Sequence, residues 1–589
     1  MSEMKFATSE SLAGSSAVSI QSFLFDNIHR VIPMTNRNTA PGKSFNEMRR
    51  LRNTTLLAPL LSCMLLVVYS ASVWGQAAGS EAESPVATVS VATKALPREI
   101  PGDFVGFSLE QSTAGSGLDA FQGVSASKSA LPPAEQAVYA LGHPGAPNEG
   151  YFRFMRNLGS SILRLGGNSQ DNSCWDRSHA PHPEACEAEL KAGDLKLFSD
   201  AAQASGWRLI IGLNLKQNSP SWTLGEVTQG IAREIKPEQV FALEIGNEPE
   251  GFPRTPYRPQ PHSPEDHAKD FLEYVHAFQA NPVAKQYAVV GPATCCTWRN
   301  ARDLSVFADM VDAKNNLKWL TVHNYAATVC DGEAVSIERL LSPELMAEGN
   351  RGPGVPYALG QAGVWELMPL LDVARGSGLP IAMAETNSVS CGGMPGVSNA
   401  FAAALWGLDY MFSLAQDGFI SVNFQSSYRP GGSSYNPIDT YGSETAPGSW
   451  NYHNVAEPLY YGLYLFSQNA SGAHLLAATT ESHANIHAYA VSRCPSCAVK
   501  IIIINKDMKA AGLVRVRLDR NMGAGALLFL DAPGLESLAA DVRYGGQQFN
   551  SDGLIAAPTT KKVLRDAHGN YDFTLPNAAA AVLTVEPTR

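Results

Sequence analysis

Ala242-Leu-Glu-Ile-Gly-Asn-Glu-Pro249 and Pro380-Ile-Ala-Met-Ala-Glu-Thr-Asn387 decide how this chain reads. Each is a short apolar run that ends in a glutamate, Glu248 in the first and Glu385 in the second. Short apolar runs closed by turn residues are the pattern of buried strands. Working outward, similar runs occur at Phe104–Leu109, Ser161–Leu165, Leu209–Leu213, Phe241–Ile245, Ala288–Gly291, Trp319–Val322, Ile381–Ala384 and Ile420–Phe424. Amphipathic stretches at 190–204, 264–279, 301–313, 360–377 and 397–415 lie between them, and 455–467 closes the series. This alternation predicts an α/β fold, a (β/α)8 TIM barrel with Glu248 ending strand four and Glu385 ending strand seven. An open doubly wound sheet is the competing architecture, but no Gly-rich phosphate turn follows the first strand.

After about residue 470 the helical periodicity stops. HANIHAYAVS, AVKIIIINK, GLVRVRLD, GALLFL, YDFTL and AAVLTVEP read as strands with Gly, Pro and Asn between them, which predicts a C-terminal β-sandwich. Pro85–Thr93 alternates ahead of the first barrel strand and is expected to cross over and join that domain. The expected divisions are 1–77 as an N-terminal extension and signal peptide, 78–100 as the joining strand, 101–468 as the barrel and 469–589 as the β-domain. A chain of 589 residues has room for all of these.

Residues 54–73 are apolar, follow Arg49, Arg50 and Arg52, and precede Gly75 and Ala77 at cleavage-site spacing. About 48–77 therefore reads as a secretory signal peptide, with a spanning anchor as the alternative because the run approaches ~20 residues. A secreted or periplasmic protein with no stable membrane anchor is the expectation. The net charge of −11, without a Lys/Arg run, gives no nucleic-acid face. Nine cysteines include Cys63 in the signal and leave eight that can pair in an oxidising compartment. Cys174 and Cys186 share one loop, and Cys330 and Cys391 follow strands six and seven on one barrel face, so both bridges are expected. Cys494-Pro-Ser-Cys497 has no second pair at zinc spacing, so a local disulfide or free thiols is the reading there.

Side chains at the C-terminal ends of barrel strands point into the active site. Two carboxylates there supply what glycoside cleavage requires: one protonates the leaving oxygen, and the other attacks or activates water. Glu248, beside Asn247, is the candidate acid/base and Glu385 the candidate nucleophile. A solvated turn carboxylate is the bland reading of either glutamate alone; the pair is far more specific. No metal and no cofactor is expected.

An acid/base Glu after Asn on strand four and a nucleophilic Glu on strand seven resemble glycoside hydrolase clan A. Within it the chain looks most like family 79, β-glucuronidases and heparanase, and especially bacterial exo-acting β-glucuronidases. The segments that carry this are Arg164-Leu-Gly-Gly-Asn-Ser-Gln-Asp171, His323-Asn-Tyr325, Glu385-Thr-Asn-Ser-Val-Ser-Cys-Gly-Gly393 and Gly432-Ser-Ser-Tyr435-Asn-Pro-Ile438. The resemblance spans roughly 85–589. It implies a retaining exo-β-glucuronidase acting on a glucuronic-acid-containing glycan or glycoside. It implies that Asn247 binds the sugar 2-hydroxyl, that Tyr325 fixes Glu385, and that the Gly392 and Gly393 backbone with Tyr435 holds the C6 carboxylate. Glu110, Gln111 and Asn168 are candidate hydroxyl ligands. Arg164 is expected in the barrel interior or paired with a catalytic-end carboxylate, with a purely structural role as the alternative. The chain departs from heparanase at Ser390 and Cys391, where heparanase has Tyr and Gly. Another clan A exo-glycosidase, such as an arabinofuranosidase or xylosidase, and a non-catalytic sugar-binding relative remain as alternatives. An endo-acting enzyme would want a basic cleft, and no Lys/Arg cluster accompanies the site loops.

Overall fold

A computed structural model describes residues 84–588 apart from 115–135, 138, 176–187, 255–256, 331, 333, 348–363 and 427–432. The expected signal peptide, Cys186, Gly432 and the start of the 360–377 helix lie outside the described residues. Eight parallel strands close into a barrel. In chain order they are Val105–Glu110, Ile162–Gly166, Arg208–Leu213, Val240–Ile245, Val289–Thr294, Leu317–Thr328, Ile381–Ser390 and Val422–Ser426. These eight are the strands expected from the sequence. Local signals set the helices between them. At Pro264–Ala280, for example, the Ser263 hydroxyl accepts from the Asp266 N–H while Asp266 accepts from the Ser263 N–H, and Pro264 occupies the first turn.

Side-chain alternation builds the barrel interior in two layers. Ile162, Ile210, Ala242, Val290 and Ala382 form an apolar floor. Two residues further along their strands, Arg164 and Glu244 form a charged layer, while Leu163, Leu165, Leu243 and Ile245 face the helices. Strand seven departs from strict alternation. Ile381 and Met383 pack outward and Ala382 inward, which by parity alone would send Glu385 outward as well. The pairing with strand six shifts between Val322–Met383 and His323–Glu385, so one extra residue in strand seven turns Glu385 inward. Strands six and seven are also longer than expected from sequence, because they remain paired as far as Thr328–Ser390.

The C-terminal domain is the expected strand-rich unit. Its strands form one continuous ten-stranded sheet. The cause is the N-terminal strand Ala87–Glu99, which pairs antiparallel with His474–Ser482 and parallel with Gly512–Leu518. Without it the hydrogen bonding would break into two pieces. The sheet curls over one core that joins Leu527 near one end to Phe573 and Leu575 at the other. Ile501 and Ile503 face this core, whereas Ile502 and Ile504 face the barrel side, so Val499–Asn505 is apolar without alternation because both faces are buried. Helix Phe401–Asp417 lies against this seam and is apolar on nearly every side. Its buried Asp409 accepts from Lys506 of the β-domain at 2.6 Å and from the Tyr489 hydroxyl at 2.6 Å. Among the described residues, no helix is long and apolar enough to cross a membrane.

Candidate active site

Arg164 organises the C-terminal mouth of the barrel. It is fully buried and donates to Glu244 Oε2 at 2.7 Å, Ser108 Oγ at 2.9 Å, Glu385 Oε2 at 2.8 Å and Asn247 Oδ1 at 2.7 Å. Burial opposes its charge, but Glu244 and Glu385 outweigh that and hold its pKa above the ordinary arginine value. Gly166 makes this possible, since a Cβ there would sit 2.9 Å from Arg164 Cζ. Arg164 thus lies in the barrel interior and pairs with Glu385, a carboxylate on a strand that ends at this mouth.

The second oxygen of Glu385 accepts from the Tyr325 hydroxyl at 2.9 Å. Glu385 is therefore held from two sides by donors. Glu248 follows the Gly246 turn with φ of 48°, a left-handed conformation costly for a side-chain-bearing residue. Its N–H donates to the Ala293 carbonyl at 2.9 Å, which fixes the turn to strand five. The buried His323 ring meets Glu248 Oε1 through Nδ1 at 3.1 Å. Burial pushes His323 down to about 3, so the ring is neutral near neutral pH. A neutral imidazole donates to an ionised carboxylate or accepts from a protonated one, so it can follow Glu248 through both states. One oxygen of Glu248, one of Glu385 and one nitrogen of His323 all lie within 4.8 Å of one another.

The sugar-facing candidates divide. Asn247 is buried; its amide donates to Asn168 Oδ1 at 3.1 Å, and its N–H donates to Asp171 at 2.8 Å. Glu110 accepts from the Ser169 N–H at 2.9 Å and hydroxyl at 2.7 Å, and from the Asn168 N–H at 3.3 Å. Burial first, then the Glu385 charge, pushes Glu110 up to about 7. Asn247, Asn168 and Glu110 are thus joined to the carboxylate pair, whereas Gln111 is buried and its amide donates to the Gly212 carbonyl at 2.7 Å. On the other side, the Tyr325 and Tyr435 rings lie 6.2 Å apart. Gly392 and Gly393, with φ of 90° and 83°, form a turn against the Ser433–Tyr435 segment, where the Ser434 N–H donates to the Gly392 carbonyl at 2.8 Å. Among the described residues neither glycine N–H donates to a protein acceptor.

Sequence reasoning gave no role to Asp171, His323 or Glu250, and it missed the disulfide between the adjacent Cys295 and Cys296. The signal for the first two was a titratable residue inside a motif already singled out. The Cys330–Cys391 bridge forms as expected, Cys494–Cys497 is a local disulfide, and Cys174 is disulfide-bonded. Among the described residues, two clusters have the composition of a metal site: Glu248, His323 and Glu385, and Glu250 with Cys295 and Cys296. In the first, the Arg164 guanidinium already neutralises Glu385; in the second, the sulfurs are bonded to each other. Neither donor set suits a cation.

Glu250 yields a pH prediction. One oxygen accepts from the Cys295 N–H at 2.6 Å and the Thr294 hydroxyl at 3.0 Å, and the other is buried without a partner among the described residues. Burial, then the Glu248 charge, pushes it up to about 8. The native state therefore keeps a proton that the unfolded chain releases near the ordinary glutamate value of 4.5, and stability from this group falls as pH rises from there to about 8. Glu250→Gln is expected to match the wild type in melting temperature near pH 5 and exceed it near pH 8. Parallel melting curves across that range would refute the assignment.

No family model matches the chain. A β-glucuronidase of Aspergillus niger is 24% identical over 313 residues, which cover 47% of this chain and 52% of that protein. A β-glucuronidase of Neurospora crassa is 23% identical over 343 residues, which cover 54% of this chain and 59% of that protein. The chain thus spans little more than half the length of these two relatives. A 4-O-α-L-rhamnosyl-β-D-glucuronidase from Fusarium oxysporum superposes with a TM-score of 0.62 at 17% identity, over 84% of this chain and 100% of that one. A family 51 α-L-arabinofuranosidase from Bifidobacterium longum gives 0.56 at 15% identity, over 85% of this chain and 100% of that one. At these identities the likeness is one of fold, that of TIM-barrel glycoside hydrolases.

Proposed function

We propose that this protein is a retaining exo-β-glucuronidase, with Glu385 as nucleophile and Glu248 as acid/base. The observation that carries the reading is the approach of Glu248, His323 and Glu385 within 4.8 Å at the strand ends. Retaining glycosidases hold their carboxyl groups ~5–5.5 Å apart, whereas inverting ones need ~6.5–9.5 Å to admit a water. Glu385, oriented by Arg164 and Tyr325, attacks the anomeric carbon while Glu248 gives its proton to the departing glycosidic oxygen. The product is a covalent glycosyl-enzyme and a free aglycone. Glu248, now ionised and bonded to His323, takes a proton from water as that water displaces Glu385 from the sugar. The glucuronidases among the relatives favour a C6 carboxylate in the substrate. So do the two glycine N–H groups left undonated beside Tyr435. Export through the N-terminal signal accords with the disulfides of the described residues.

Two experiments test this. A panel of 4-nitrophenyl glycosides should show turnover of the β-D-glucuronide far above the β-glucoside, β-xyloside and α-L-arabinofuranoside. Preference for the arabinofuranoside would favour the architecture's other occupants, and sugar binding without turnover would make the chain a lectin-like relative. Tyr435→Phe removes a charge-receiving hydrogen bond, worth ~1.5–3 kcal/mol. Glucuronide efficiency should fall about tenfold to a hundredfold, while residual glucoside efficiency stays nearly constant. Equal losses would mean that Tyr435 shapes the pocket without reading the charge.

A further inference from the structure

We propose that the Cys330–Cys391 disulfide is a positioning element for substrate recognition: it locks the turn whose backbone N–H groups read the C6 carboxylate. The inference rests on the glucuronidase reading above and deepens it. Cys391, Gly392 and Gly393 are three consecutive left-handed residues, with φ of 60°, 90° and 83°. Glycine takes that conformation freely, but cysteine does not, and a side-chain-bearing residue is held there only when its surroundings over-determine it. Three constraints do so. The bridge ties Cys391 to Cys330, just past the strand that carries His323 and Tyr325. Beside it, the Ser390 hydroxyl donates to Thr328 Oγ1 at 2.7 Å, a second link between the same two strand ends. On the far side, the Gly392 carbonyl accepts from the Ser434 N–H at 2.8 Å, and a Cβ on Gly393 would meet the Tyr435 nitrogen at 2.8 Å.

The turn is therefore clamped between the strand that orients the nucleophile and the segment that carries Tyr435. Its two N–H donors, which meet no protein acceptor among the described residues, are aimed by the clamp. A neutral donor set competes for an anion with water only if it is pre-organised, because ordering the loop on binding would consume the gain. A neutral hexose, which has no carboxylate at C6, gains nothing from the clamp. The disulfide is thus a specificity determinant placed outside the pocket. Cys330 and Cys391 are both exposed, so a reductant reaches the bridge in the folded protein.

The test uses the full chain. In C330S/C391S, kcat/KM on 4-nitrophenyl β-glucuronide is expected to fall about tenfold, mainly through KM, while the β-glucoside value changes less than twofold. Mild reduction of the wild type should reproduce the loss, and the same reductant should leave the double variant unchanged. If the double variant does not fold, the reduced wild type carries the comparison. Equal losses on both substrates, or no loss on the glucuronide, would overturn the proposal. A wild type inactive on the β-glucuronide would refute the underlying reading, whereas an active wild type with a non-selective variant refutes the clamp alone.

Discussion

Glu385→Gln is expected to lower kcat by about 100,000-fold on every glycoside, the scale on which enzymes respond to loss of a covalent nucleophile. The neutral amide keeps the volume of the carboxylate but cannot form the glycosyl-enzyme. Arg164 and Tyr325 would still hold it, so the fold should survive and substrate should still bind. Glu248→Gln should behave differently. A nitrophenolate leaves without a proton, so glycosylation of activated aryl substrates should persist while poor leaving groups lose most of their rate. The second step then lacks its base, and added azide should restore turnover as the β-glycosyl azide. Steady-state rates of both variants on substrates of graded leaving-group acidity, with and without azide, check this. Azide rescue of Glu385→Gln with the same retained product would reverse the two roles.

Arg164→Met is expected to cost about 3–5 kcal/mol of stability, because it strands buried negative charge. Glu244 is fully buried, its Oε2 is bonded to Arg164, and its Oε1 has no partner among the described residues. Activity should fall as well, since Glu385 and Asn247 each lose a donor that fixes them. A second substitution separates the two effects. Glu244→Gln in the Arg164→Met background removes the stranded charge and should recover much of the stability without recovering the rate. Chemical denaturation and kinetics on the same samples measure both. Recovery of rate and stability together would mean that Arg164 acts only by holding the barrel interior together.

The parts of the site that follow from residue type and strand position were legible in the sequence. Glu248 and Glu385 stood out because each ends an apolar run, and eight such runs already implied a barrel. The inward turn of Glu385 was not legible. It depends on a register shift between strands six and seven, and no residue type marks a bulge that contains neither Gly nor Pro. Arg164 was legible as a charged residue inside an apolar strand, but its partners come from strands one, four and seven, and only closure of the barrel brings them together. The single sheet of the β-domain was hidden for a related reason. The alternating Pro85–Thr93 segment announced a strand, yet where it inserts is fixed by its neighbours. Cys295 and Cys296 looked like two unrelated members of an even set, because adjacency in sequence does not announce a bond.

The most direct test is to trap the intermediate. Incubation of the wild type with an activated 2-fluoro-2-deoxy-β-glucuronide should inactivate it with time, because the fluorine slows hydrolysis of the glycosyl-enzyme more than its formation. Peptide mass spectrometry should then find one added 2-fluoroglucuronyl group, on Glu385 within the peptide that spans Ile381–Ser390. A label on Glu248, Glu110 or Glu244, or steady turnover of β-glucuronides with no label on any residue, would contradict the account.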